Sequence, residues 1–87
     1  MPERRPKPLV RNPVSAEDYE VFCGEQIDGA GRFYGLLRIR RKTDGRLIYP
    51  FDGCPRPGPC ASGALARQQA LSLADELIRA DIAMPEA

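Results

Sequence analysis

From Tyr19 the chain alternates: Tyr19, Val21 and Cys23 are separated by Glu20, Phe22 and Gly24, the period-two pattern of a half-buried strand. Ile27-Asp28-Gly29-Ala30-Gly31 supplies two glycines for a turn, and the alternation resumes from Arg32 to Arg41. Lys42-Thr43-Asp44-Gly45 predicts a tight turn with Gly45 in the left-handed conformation, returning the chain into a third strand, Arg46 to Tyr49. Pro50 has no N–H to give to a ladder, so this strand ends there or lies at the sheet edge.

Turn geometry sets register. With Lys42 opposite Arg46, Ile39 falls opposite Tyr49, Leu37 opposite Phe51 and Arg40 opposite Ile48. One face then carries Phe33, Leu37, Ile39, Leu47, Tyr49 and Phe51, which is the expected core. The other carries Arg32, Tyr34, Leu36, Arg38, Arg40, Lys42, Arg46 and Ile48. In the first hairpin, pairing Glu25 with Phe33 puts Glu20 opposite Arg38 and Asp18 opposite Arg40.

Phe51 to Ser62, with Pro55, Pro57 and Pro59 among glycines, reads as an extended crossing segment that joins neither sheet nor helix. Ser62 is suited to cap a helix running from Ala64 to Ile82, where Ala, Leu, Gln, Arg and Glu dominate, and Pro85 stops it. Ala66, Ala70, Leu73, Ala74, Leu77 and Ile78 form one stripe at a 3.6 period. Asp81 falls on that stripe as its one charged member, where it either turns outward or pairs with an arginine at the core edge. The pattern predicts an α+β fold, a three-stranded antiparallel sheet packed against one C-terminal helix in the order β-β-β-α.

Size and charge refine this picture. At 87 residues the chain has room for one domain with one thin core. Residues 1–14, with Pro2, Pro6, Pro8 and Pro13 among Arg4, Arg5, Lys7 and Arg11, read as a disordered basic tail, and residues 15–87 as the folded domain. The net charge of +1 conceals opposed blocks. Val14 to Gly31 carries five acids and no base, whereas Arg32 to Arg46 carries six bases against Asp44 alone.

Composition removes several kinds of chemistry. The chain has no His, so an imidazole base, a His-activated nucleophile and a His metal ligand are all absent. It has no nucleotide-binding glycine loop and no nucleophile elbow. Cys23, Cys54 and Cys60 are an odd set without C-x-x-C spacing, which suits inert thiols in a reducing compartment rather than a disulfide framework, a redox pair or a zinc site. No apolar run is long enough for a membrane helix, and no secretory leader precedes Tyr19, so the cytoplasm is the expected location. The expectation is a non-enzymatic binding module without cofactor or metal.

Two partners fit its open sheet face. Arg32, Tyr34, Arg38, Arg40, Lys42 and Arg46 have the character of a phosphate-binding surface with an aromatic stacking group, which suits nucleic acid. Phe22, Tyr34, Leu36 and Ile48 on the same face suit instead a protein partner or a second copy of the chain. Cross-strand pairing with the acids of the first strand would neutralise part of the basic row.

The strings Tyr19-Glu20-Val21, Gly31-Arg32-Phe33-Tyr34-Gly35, Arg41-Lys42-Thr43-Asp44-Gly45-Arg46-Leu47, Pro50-Phe51-Asp52-Gly53 and Ala80-Asp81-Ile82-Ala83 resemble a group of short uncharacterised bacterial proteins, over Tyr19 to Glu86. That resemblance implies a fold and no activity. The topology is also similar to three-strand-plus-helix nucleic-acid modules such as the arm-binding domains of integrases. It departs from double-stranded-RNA-binding domains, because no amphipathic helix precedes Tyr19 and the helix opens without a lysine cluster.

Overall fold

A computed structural model describes residues 12–85. The expected basic tail lies largely outside the described residues. A single 3₁₀ turn, Ala16–Asp18, leads into strand β1 (Tyr19–Ile27), followed by β2 (Phe33–Arg41), β3 (Leu47–Tyr49) and helix α1 (Gly63–Ala83). The strands form one antiparallel sheet in the order β1-β2-β3. Helix α1 covers one face, giving the β-β-β-α arrangement that the periodicity predicts.

Local chemistry explains each boundary. Ser15 and Asp18 form a capping box around the 3₁₀ turn, and the Asp18 carboxylate accepts the Val14 N–H at 2.8 Å. Asp28 organises the first hairpin loop: its side chain accepts the N–H groups of Ala30 and Arg32, each at 2.9 Å. Gly45 adopts φ 78°, as the second turn requires, and its N–H closes on the Arg41 carbonyl at 2.8 Å. Ser62 caps α1 by accepting the Leu65 N–H at 3.2 Å.

Two registers differ from expectation. In the first hairpin Glu25 opposes Gly35 and Glu20 opposes Arg40, a shift of two residues that preserves which side chains share a face. The shift arises because Asp28 closes the loop on Arg32, so that Ile27 and Phe33 become the last pair. In the second hairpin Arg41, not Lys42, pairs with Arg46, and Arg40 opposes Leu47. Ile39 still opposes Tyr49, so one residue of β3 is left over as a bulge. The bulge overturns the assignment of Ile48 to the open face: Ile48 packs against the core, while Leu47 is 41% exposed. Phe51 is also more exposed than a core position implies, its ring meeting Tyr49 edge-on at 6.0 Å.

The core consists of Tyr19, Leu37, Ile39 and Tyr49 of the sheet against Ala66, Ala70, Ala74 and Ile78 of α1. The alanine stripe lets α1 approach closely, and Gly35 marks the tightest point. A Cβ there would lie 2.6 Å from the Ala66 carbonyl oxygen and 2.9 Å from Ala70 Cβ. The proline segment does join the sheet, contrary to the sequence reading. Cys60 exchanges two backbone hydrogen bonds with Phe33, and the Pro57 carbonyl accepts the Gly35 N–H at 3.0 Å. The prolines remove donors from this segment, yet the carbonyl of Pro57 and both groups of Cys60 remain free to cap the β2 edge beyond short β3.

Candidate functional site

The sheet face opposite α1 is set by the β1–β2 register. Glu20 opposes Arg40, Phe22 opposes Arg38, Gly24 opposes Leu36 and Gln26 opposes Tyr34. Phe22 stands 64% exposed in the middle of β1. Arg38 and Arg40 sit on alternate residues of β2, so both project from this face. Neither side chain makes a hydrogen bond or ion pair among the described residues; Glu20, although directly across from Arg40, forms no salt bridge with it. The acids of β1 therefore leave these two guanidinium groups available. Glu20, Val21, Phe22, Arg38 and Arg40 line a shallow groove of about 470 Å³.

Tyr34 lies at the other end of the face. The Arg56 guanidinium, from the proline segment, stands 4.0 Å above its ring centre, a cation–π contact that holds a cation beside Tyr34. Gly58 permits this approach. It adopts φ 110°, and a Cβ there would lie 2.7 Å from the Phe33 carbonyl oxygen and 3.1 Å from the Tyr34 ring.

Of the residues named for the basic surface, the structure brings together Tyr34, Arg38 and Arg40. Arg32 belongs to the first hairpin loop, where its Nε binds Asp28 at 3.1 Å. The backbone N–H of Arg32 and the Ala30 N–H hold the Asp28 carboxyl below the usual carboxylate range, against a smaller opposing effect of burial. Lys42 is exposed in the second turn. Arg46 shares a groove with Leu47, Phe51, Leu77 and Met84 on the helix side, because the bulge reverses the parity of β3. Of the apolar alternative, Phe22, Tyr34 and Leu36 remain on the open face and Ile48 does not.

A buried polar cluster joins residues that periodicity alone leaves apart. Arg41 binds Asp81 through Nη2 to Oδ1 at 2.7 Å and Nε to Oδ2 at 3.0 Å, and Asp44 through Nη1 at 2.6 Å. The Tyr19 hydroxyl donates to the same Asp81 carboxylate. Burial and then the Asp81 carboxylate push the Tyr19 phenol well above its ordinary range. For Asp44, burial acts to raise the carboxyl, but the Arg46 N–H and the Arg41 guanidinium outweigh it and hold it below the usual range. The signal was present in two exceptions to pattern: Arg41 falls on the core parity of β2, and Asp81 falls on the apolar stripe of α1. Each residue explains the other.

The cysteines carry no evident chemistry. None of the three forms a disulfide, the Cys23 thiol donates to the Arg67 carbonyl at 3.7 Å, and burial, outweighing the nearby Arg67, raises that thiol and so works against thiolate formation.

The fold defines a small α+β domain, a sheet with one side sealed by a helix and the other open among the described residues. The chain belongs to a family of unknown function, DUF6723, whose model matches residues 14–86. No curated protein and no solved structure matches it. Among the described residues, no helix is long and apolar enough to cross a membrane.

Proposed function

We propose that this domain is a non-enzymatic module that binds nucleic acid on the open face of its sheet. The observation that carries the reading is the pairing of Phe22, 64% exposed, with Arg38, beside Arg40, with neither guanidinium engaged by a side chain among the described residues. Guanidinium groups on alternate strand residues reach successive phosphates, and an aromatic ring standing from the sheet offers a platform to an exposed base. Arg56 over Tyr34 adds a cation near β2's other end. The face is small and Glu20 subtracts from its charge, so salt-sensitive affinity with little sequence preference is expected.

Fluorescent single-stranded and duplex oligonucleotides titrated with the parent chain and with Arg38→Gln/Arg40→Gln and Phe22→Ala variants test this. The reading predicts weakened binding to all sequences in the arginine double variant. Loss of stacking in Phe22→Ala costs on the order of 1–3 kcal/mol. Equal binding by parent and arginine variant contradicts it. A protein partner resting on Phe22 and Leu36 would instead give no oligonucleotide binding at all.

A further inference from the structure

Strand β1 is an edge strand of nine residues, paired on one side by β2. Its other edge has no backbone partner among the described residues. The direction of its free groups follows from β2. Phe33, Gly35 and Arg41 give their N–H groups to Cys60, Pro57 and Arg46, on the side away from β1. The odd residues of β2 therefore face away from β1 and the even ones bond to it. In β1 the even residues, which oppose them, are the bonded set. Tyr19, Val21, Cys23, Glu25 and Ile27 thus direct their N–H and C=O groups outward.

Few of the ordinary devices for blunting such an edge are present, its charges being Glu20 and Glu25 alone. β1 contains no proline or lysine and runs against β2 without a bulge. Glu25, which could repel an incoming strand, is held by Arg67 of α1 at 2.7 Å. Val21, Phe22 and Ile27 along the strand are all exposed.

We infer that this edge pairs with the same edge of a second copy of the chain, antiparallel about a two-fold axis through Cys23, giving a continuous six-stranded sheet. The axis at Cys23 pairs all nine residues of β1 with their counterparts and matches the outward groups, making Cys23 its own partner and Val21 the partner of Glu25. About ten ladder hydrogen bonds follow from the five outward-facing pairs. The charges are compatible: Glu20 opposes Gln26 and Glu25 opposes Val21, so no acid meets an acid. Phe22 opposes Gly24, whose missing side chain leaves room for the ring. Moving the axis by one residue towards Gly24 instead sets Glu20 against Asp28. This inference stands independently of nucleic-acid binding, and if both hold, the two basic rows lie on one sheet face.

Sedimentation velocity of the parent chain from micromolar to millimolar concentration, under reducing conditions, tests the inference. A monomer–dimer equilibrium is expected, with Val21→Lys and Gly24→Glu each raising the dissociation constant at least tenfold. Gly24→Glu provides a variant that leaves the monomer undisturbed, because a Cβ at Gly24 would meet only Leu36 atoms at 3.9 Å. Mild oxidation of a Cys54→Ser/Cys60→Ser variant is expected to trap a Cys23-linked dimer. A parent chain that stays monomeric throughout, or a dimer that both substitutions leave unchanged, overturns the inference.

Discussion

Arg41 and Asp81, 40 residues apart in sequence, meet through two hydrogen bonds with their side chains only 3% and 8% exposed. This pair ties the end of the middle strand to the last turn of the helix. Tyr19 adds the first residue of β1 to the same carboxylate, and Asp44 adds the second turn through Arg41. One carboxylate therefore links β1, β2, the second turn and α1.

Breaking the pair from one side leaves a buried charge without its partner. Arg41→Ala is expected to cost about 3–5 kcal/mol, a large share of the stability of a domain this small. Asp81→Asn keeps an acceptor for the Tyr19 hydroxyl and loses the charge, so a smaller cost of about 1.5–3 kcal/mol is expected. Urea unfolding followed by far-ultraviolet circular dichroism measures both, and the reverse ranking would contradict the geometry.

The same cluster predicts the pH range of stability. The Tyr19 phenol is raised by burial and by the Asp81 carboxylate, so the folded state prefers it protonated. Its contribution is complete below the unfolded value of about 10 and is lost as pH rises beyond it. Asp44 acts in the opposite sense: its folded carboxyl lies below the usual value, so its contribution is lost as pH falls below about 4. Thermal unfolding across pH should show a fall on both sides. Tyr19→Phe should flatten the alkaline limb and Asp44→Asn the acid limb.

Gly35 gives a steric test that involves no charge. A methyl group there meets the Ala66 carbonyl oxygen, Ala70 and Pro57 at once, and backbone cannot step aside as a flexible side chain does. Gly35→Ala is expected to destabilise by about 1–3 kcal/mol through overpacking. Gly29→Ala, where a Cβ meets nothing within 4 Å, serves as the control and should be close to neutral. Equal losses in both would place the close approach of α1 elsewhere.

Much of this architecture was legible in the pattern of residues. Alternation gave the strands, Gly45 gave the second turn, and the alanine stripe gave the helix and its buried side. What escaped depended on atoms distant in sequence or on the count of residues in a loop. Asp28 closes the first loop one residue further on than the glycines suggest, and the second turn takes one residue more, which the bulge at Ile48 absorbs. Parity arguments cannot see a bulge, so Ile48 and Arg46 changed faces while Arg38 and Arg40, on unbroken β2, did not. The prolines advertise missing donors, whereas the carbonyls of Pro57 and Cys60 and the Cys60 N–H decide the segment's place against Phe33 and Gly35.

The role proposed for Arg38 and Arg40 is tested most directly by the dependence of oligonucleotide affinity on salt. Binding measured between 50 and 200 mM salt should weaken linearly in a plot of log affinity against log salt. Arg38→Gln and Arg40→Gln should each reduce the slope by about one unit. A slope that neither substitution changes, or no binding at about 50 mM salt, would contradict the assignment of the open sheet face to nucleic acid.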